Sequence, residues 1–131
     1  MKKFHVLKWT VIFGILLVIL TACSSASKGP TVVHVTLSDY KVEMDKTSIP
    51  AGAVRFEIKN TGSLTHEVVL EGEGIDDEPF EVNGEASEAE DIASGADASL
   101  EWTIDTPGDY QLACHTSNHY QLGMVLPFTV K

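Results

Sequence analysis

The sequence predicts an all-β fold for residues 31–131, a Greek-key β-sandwich of about seven to eight strands. Two observations lead to this prediction. Apolar side chains recur at every second position over short stretches, which is the period of a strand with one buried face. Clusters of turn-forming residues separate these stretches at 50–52, 60–63 and 106–109. Strands are predicted at 31–37, 53–60, 67–70, 98–104, 108–114 and 124–130, with a weaker one at 40–44.

Residues 1–22 have the features of an export signal. Lysines in the first eight residues precede an apolar run at 11–20, which is about half the roughly 20 residues that a membrane-spanning helix needs. The run ends in Leu20-Thr21-Ala22-Cys23, which resembles the lipobox of bacterial lipoproteins. That resemblance implies cleavage before Cys23 and lipid attachment to its sulfur. An ordinary secretory cleavage near Ala22, followed by a chance cysteine, is the alternative.

The mature chain would then consist of a tether and one domain. Residues 23–30 are small and polar, with the lipid on Cys23, and read as a flexible tether of roughly 25 Å at full extension. Residues 31–131 have the length of a single compact domain, which we expect to be monomeric. The expected location is the cell envelope, lipid-anchored on the outer side of the cytoplasmic membrane or in the periplasm.

The charge of the mature chain limits its partners. The whole sequence has a formal charge of −10, and residues 23–131 keep six basic against nineteen acidic residues, a charge of −13. Nucleic acid and anionic lipid head groups are poor partners for such a surface, because both require a basic patch. We expect a membrane contact only through the lipid, and a redox protein with a basic docking surface as partner.

Eleven of the acidic residues, and no basic one, fall in residues 71–97. The pattern of alternation is lost there. The simpler interpretation is a solvated surface loop with a helical turn between 85 and 92. The alternative is an acidic docking face for the basic partner.

The residues that carry chemistry lie near the C-terminus. Cys114, His119 and Met124 follow one another at intervals of five residues. With lipid on Cys23, Cys114 is the one remaining thiol of an exported chain, and metal ligation would explain it. A thiolate, two imidazoles and a weak axial thioether form the ligand set of a blue copper site.

Strand phase selects the second imidazole. His66 shares its predicted face with Val68 and Leu70 and should point into the sandwich. His34 alternates against apolar neighbours and should face water. His115 points away from the face of Cys114, and solvent exposure is its expected state, with a role behind the ligands or in an electron path as the alternative.

These motifs resemble those of cupredoxins, the family that includes plastocyanin, azurin and rusticyanin. The resembling motifs are 60–66, ahead of a strand, then 107–110, leading to Cys114, and His119 followed by 123–124. The resemblance implies one copper that alternates between Cu(I) and Cu(II), with His66, Cys114 and His119 as strong ligands and Met124 as the axial ligand. The Cys-to-His interval is longer than in plastocyanin-type members. Glu67 stands where many members have Asn.

The resulting interpretation is a membrane-anchored one-electron carrier rather than an enzyme. In the family the second histidine reaches the surface at its ring edge, so Tyr120, Leu122, Val125 and Leu126 are candidates for an apolar rim there. The first alternative is a copper-binding or delivery module of the cell envelope. A copper reductase or oxidase would need a second metal site or an open position. Zinc would gain little from the thioether and cannot carry an electron.

Overall fold

The computed structural model describes residues 29–75 and 77–131. Within those two ranges every helical or extended element is a β-strand, so the all-β prediction is confirmed. In chain order the strands are β1 (Thr31–Ser38), β2 (Lys41–Met44), β3 (Ser48–Ile49), β4 (Gly52–Asn60), β5 (His66–Gly72), β6 (Glu81–Val82), β7 (Glu85–Ala86), β8 (Glu88–Ile92), β9 (Asp97–Ile104), β10 (Gly108–Ala113) and β11 (Val125–Val130).

The strands form two facing sheets and one small hairpin. The first sheet has the order β2-β1-β4-β9 and the second has the order β3-β11-β10-β5-β8, while β6 pairs with β7. Most neighbours are antiparallel, but β1 pairs in parallel with β4, and β11 with β3. The chain crosses repeatedly between the sheets, as a Greek-key sandwich requires.

Alternating side chains of both sheets fill the core between them. In β1 the side chains of Val33, Val35 and Leu37 are buried, whereas His34 is exposed, as predicted. Burial of each such aliphatic side chain contributes roughly 1.5–3 kcal/mol. The same alternation in β5 sends His66 inward beside Val68, so strand phase also placed this histidine correctly.

Strand β5 is buried on both faces, which the alternation rule did not predict. Val69 and Glu71 point away from the core, yet both are buried. The chain that follows β5 folds back against Glu71, and the backbone N–H of Glu78 donates to Glu71 Oε2 at 3.1 Å. The second sheet therefore has a covered patch on its outer side.

The acidic region contains the strands β6, β7 and β8 where a surface loop was expected, and the helical turn predicted at 85–92 is wrong. Strand β8 pairs antiparallel with β5 along the edge of the second sheet. Ser87 stabilises this edge through two hydrogen bonds. Its backbone N–H donates to Phe80 O at 2.8 Å, and its hydroxyl donates to Leu70 O at 2.6 Å. Pairing with β5 and burial of Ile92 outweigh the weak local preference of the segment.

The predicted export signal, the lipid-bearing Cys23 and most of the tether lie outside the described residues. No helix of sufficient length and apolarity to cross a membrane is present in residues 29–75 and 77–131.

Candidate metal centre

Three predicted ligands meet at one end of the sandwich. His66 begins β5, Cys114 follows β10 directly, and His119 lies in the loop between β10 and β11. Their donor atoms all lie within 4.8 Å of one another. The two Nδ1 atoms are 3.2 Å apart, and Cys114 Sγ lies 3.5 Å from His119 Nδ1 and 3.9 Å from His66 Nδ1. His66 and Cys114 are fully buried and His119 is 6% exposed.

The loop that closes this cluster is fixed by its own backbone. Cys114 N–H donates to Met124 O at 3.0 Å, and Met124 N–H donates to His119 O at 3.0 Å. Gly123 has a φ of 95°, a backbone conformation that glycine adopts at much lower cost than other residues, and it allows the chain to reverse direction here. These contacts place the fully buried Met124 beside the thiol-bearing residue, where a thioether can serve as an axial donor.

His66 is oriented from its far side by the turn between β1 and β2. Its Nε2 atom lies 3.3 Å from Asp39 Oδ1, so Nδ1 is the ring atom that faces Cys114 and His119. Burial lowers the pKa of His66, with Asp39 acting in the opposite direction. Hydrogen bonds, above all from the Ser63 hydroxyl, hold the pKa of Asp39 at about 2.

The loop before His66 is organised by Asn60. This buried side chain donates through Nδ2 to Leu64 O and Ile92 O, both at 2.8 Å, and accepts from Gly62 N–H at 2.9 Å. These hydrogen bonds replace those that the Asn60 amide would make with water, so its burial costs little free energy and the loop is held in place. The motif at 60–66 therefore acts as a structural support for the first histidine.

Glu67, the departure from the family pattern, connects two ligand segments. Its backbone N–H points at Cys114 Sγ at 3.5 Å, and its Oε1 accepts the N–H of His115 at 2.7 Å. The Glu67 side chain thus fixes the position of His115, the residue next to the cysteine.

The expectation that His115 is solvent-exposed is wrong. Its side chain is only 7% exposed, and its Nε2 lies 3.0 Å from Oε1 of the buried Glu71. The ring stacks on Tyr120 at a centroid distance of 4.7 Å. His115 does point away from the core, as strand phase predicted, but it enters the covered patch outside β5.

Sequence reasoning also missed the two residues of the first turn. Asp39 contacts His66, and the ring of Tyr40 meets that of His119 edge-on at 5.2 Å. Tyr40 has φ of 65°, a left-handed conformation that is uncommon outside glycine. No local pattern shows that this turn lies against ligands from distant parts of the chain.

The donors fit the predicted copper. Two imidazole nitrogens and a cysteine sulfur form a buried cluster, and a buried methionine lies next in the loop. This is the nitrogen and sulfur chemistry of a type 1 site, in which the plane holds two histidines and a thiolate and the axial thioether is weak.

Comparison with known proteins agrees with this geometry. The model of the cupredoxin-like domain family matches residues 10–126. No curated protein sequence matches. A dithionite-reduced auracyanin from Roseiflexus castenholzii superposes with a TM-score of 0.65 at 18% identity, over 79% of this chain and 99% of that one. Auracyanin A, a "blue" copper protein from Chloroflexus aurantiacus, gives 0.56 at 21% identity, over 79% and 100%.

Part of a larger enzyme shares the fold. A multicopper oxidase superposes with a TM-score of 0.54 at 18% identity, over 76% of this chain but only 41% of the oxidase. At these identities the superpositions show a common fold. The family match and the donor cluster together bear out the expected cofactor, one type 1 copper.

Gly62→Ala tests the packing around the first histidine. A Cβ on Gly62 would lie 2.9 Å from Asp39 N and 3.1 Å from His66 Nε2, so the turn or the ring must move. We expect a loss of about 1–3 kcal/mol in the free energy of unfolding, measured with urea, together with weaker metal binding. Gly29→Ala, where a Cβ meets nothing within 4 Å, is the control. Equal stability of the two variants would contradict the close approach.

Proposed function

The chain belongs to the cupredoxin-like family, and on that basis we propose that it is a membrane-anchored type 1 copper protein that carries one electron at a time. The single observation that supports this most is the buried cluster of two Nδ1 atoms and one sulfur within 4.8 Å. We assign His66, Cys114 and His119 as strong ligands and Met124 as the axial ligand. The copper would supply a Cu(II)/Cu(I) couple.

The protein's own contribution is to fix the positions of the ligands and to exclude water from them. His66 and Cys114 are attached to neighbouring strands of one sheet, since β10 pairs with β5, and His119 is fixed by backbone bonds to the same loop. Fixed donors of mixed softness suit both oxidation states, so little rearrangement accompanies electron transfer. The apolar shell limits water access and thereby tunes the potential.

Electrons would pass through His119 to an apolar contact surface. Tyr40, 44% exposed, touches the His119 ring, and Leu122, 53% exposed, donates its N–H to His119 O. Of the rim predicted from sequence, Leu122 is exposed, whereas Tyr120 is partly buried against His115. Val125 and Leu126 are also partly buried. A small apolar surface gives the brief encounter that a carrier needs.

The partner is proposed to be a redox protein with a basic docking surface. The carboxylates near β8 form one electrostatic neighbourhood, since burial and the charges of Glu90, Glu67 and Asp77 raise the pKa of Glu88. A negative surface of this kind speeds the encounter with a positive partner at low salt.

Copper delivery is the alternative function. It is less well supported because two of the three clustered ligands are fully buried and the third nearly so, which slows exchange of an ion with a partner. An oxidase reaction would need a further metal centre, and residues 29–75 and 77–131 contain a single cluster of three potential His, Cys or acidic ligands.

Copper loading should colour the protein. We expect one equivalent of Cu(II) to give an intense visible band from thiolate-to-copper charge transfer, together with a blue-site paramagnetic-resonance spectrum. Cys114→Ser should abolish the band, and Cys23→Ser should retain it because that sulfur lies in the tether. A colourless wild-type protein with bound Cu(II) would refute the type 1 assignment.

Met124→Leu tests the axial position. Leucine preserves apolar volume and removes the thioether, so the blue colour should remain while the reduction potential rises. Voltammetry of the copper-loaded variant measures the shift. Met44→Leu, a change of the same type in β2, is the control and should leave the potential unchanged. Equal potentials for all three proteins would show that Met124 is not the axial ligand.

Cys23→Ala tests the membrane anchor. The resemblance of 20–23 to a lipobox implies that this change blocks lipid attachment, so the protein should accumulate unprocessed or be released from membranes. Fractionation and labelling with a radioactive fatty acid measure both effects in the expressing cell. Cys114→Ala is the control and should be labelled like the wild type. Unchanged labelling of Cys23→Ala would exclude the anchor.

A further inference from the structure

We propose that Asp39 is a positioning residue that fixes the tautomer of His66 and lowers the reduction potential of the copper. The inference rests on the proposed copper site and extends it to a carboxylate that the ligand motifs do not contain. Asp39 lies in the two-residue turn between β1 and β2, which belong to the first sheet, whereas His66 starts β5 of the second. The contact therefore joins the two sheets at the metal end.

The carboxylate of Asp39 is held by several donors at once. Oδ1 accepts the N–H groups of Ser63 at 2.9 Å and Leu64 at 3.1 Å, and Oδ2 accepts the Ser63 hydroxyl at 2.6 Å. The remaining contact of Oδ1 is His66 Nε2 at 3.3 Å. A carboxylate that accepts this many hydrogen bonds has little freedom to turn away from the ring.

This arrangement determines which nitrogen of His66 carries the proton. A carboxylate accepts only, so the stable pairing places the N–H on Nε2 and leaves the lone pair on Nδ1. Nδ1 is the atom that faces Cys114 Sγ at 3.9 Å and His119 Nδ1 at 3.2 Å. Asp39 thus presents His66 in the form that a metal requires.

The negative charge also acts on the metal through the ring. A carboxylate behind a ligating imidazole increases the basicity of the ligand. Cu(II) carries more charge than Cu(I) and gains more from this effect, so Asp39 favours the oxidised state. The side chain of Asp39 is 34% exposed, which weakens its field without removing it.

Asp39→Asn is the principal test, with Asp45→Asn as its matched control. Asparagine keeps the shape and the acceptor oxygen of Asp39 and removes the charge. Asp45 likewise accepts a backbone N–H, from His34 at 2.9 Å, but it contacts no proposed ligand. We expect Asp39→Asn to shift the Cu(II)/Cu(I) preference about tenfold toward Cu(I), a rise of about 59 mV for one electron, and Asp45→Asn to leave the potential unchanged.

The outcomes separate this inference from the copper assignment. A blue wild-type protein whose potential is the same in Asp39→Asn would overturn the role of Asp39 and leave the copper site standing. Equal rises in both variants would also overturn it, because they would show only the effect of net charge. A wild-type protein that gives no blue band would instead refute the proposed function itself.

A measurement on the unaltered protein covers the case in which Asp39→Asn does not fold. In the Cu(I) form, ¹H–¹⁵N spectra of the histidine rings should show a proton on His66 Nε2 that exchanges slowly with solvent. His34 provides the comparison, because its Nδ1 lies at the same 3.3 Å from Glu57 but both side chains are exposed. A His66 ring protonated on Nδ1, or exchanging as fast as His34, would overturn the proposal. The same spectra of the metal-free protein report the tautomer without copper.

Discussion

The central constraint on this molecule is that two imidazole nitrogens and a sulfur must face one another, 3.2 to 3.9 Å apart, in a dry interior. Such a cluster costs free energy, because the buried polar atoms lose their hydrogen bonds to water. The three side chains must also be held close together. The surrounding bonds each restrain one part of it. Asn60 fixes the loop before the first ligand, Glu67 fixes the segment after the second, and the Met124 backbone closes the loop that carries the third.

Much of the fold could be predicted because long strands with one buried face leave a strong pattern. Strand β1 is the clearest case, with its buried valines and exposed His34. Strand β3 was missed because two residues cannot show a period, and β8 because its sequence is acidic and lies at a sheet edge. The structure of β8 comes from its partner β5, which local sequence cannot reveal.

The site was predictable to the extent that chain order and strand phase determine it. Strand phase predicted that His66 points inward, which it does, and spacing predicted that Cys114, His119 and Met124 act together. The structure brings Cys114 and His119 together with His66. The same rule failed for His115, because it assumes that the second face of a strand meets water. On this sheet the outer face is covered at Glu71 of β5, which is buried. The outward-pointing His115 therefore contacts Glu71 instead of water. Asp39 and Tyr40 could not be found this way, since each meets a ligand from a distant segment.

The turn formed by Asp39 and Tyr40 has a consequence for how this chain can vary. Its two residues touch different imidazoles, Asp39 the ring of His66 and Tyr40 the ring of His119. Hairpin loops elsewhere commonly change length without harm, since they end in solvent. Here an insertion or deletion of one residue would misplace two ligand contacts simultaneously. The contacts with the two histidines therefore restrict the length of the turn between β1 and β2. For the same reason, this turn is a poor site for inserting new sequence.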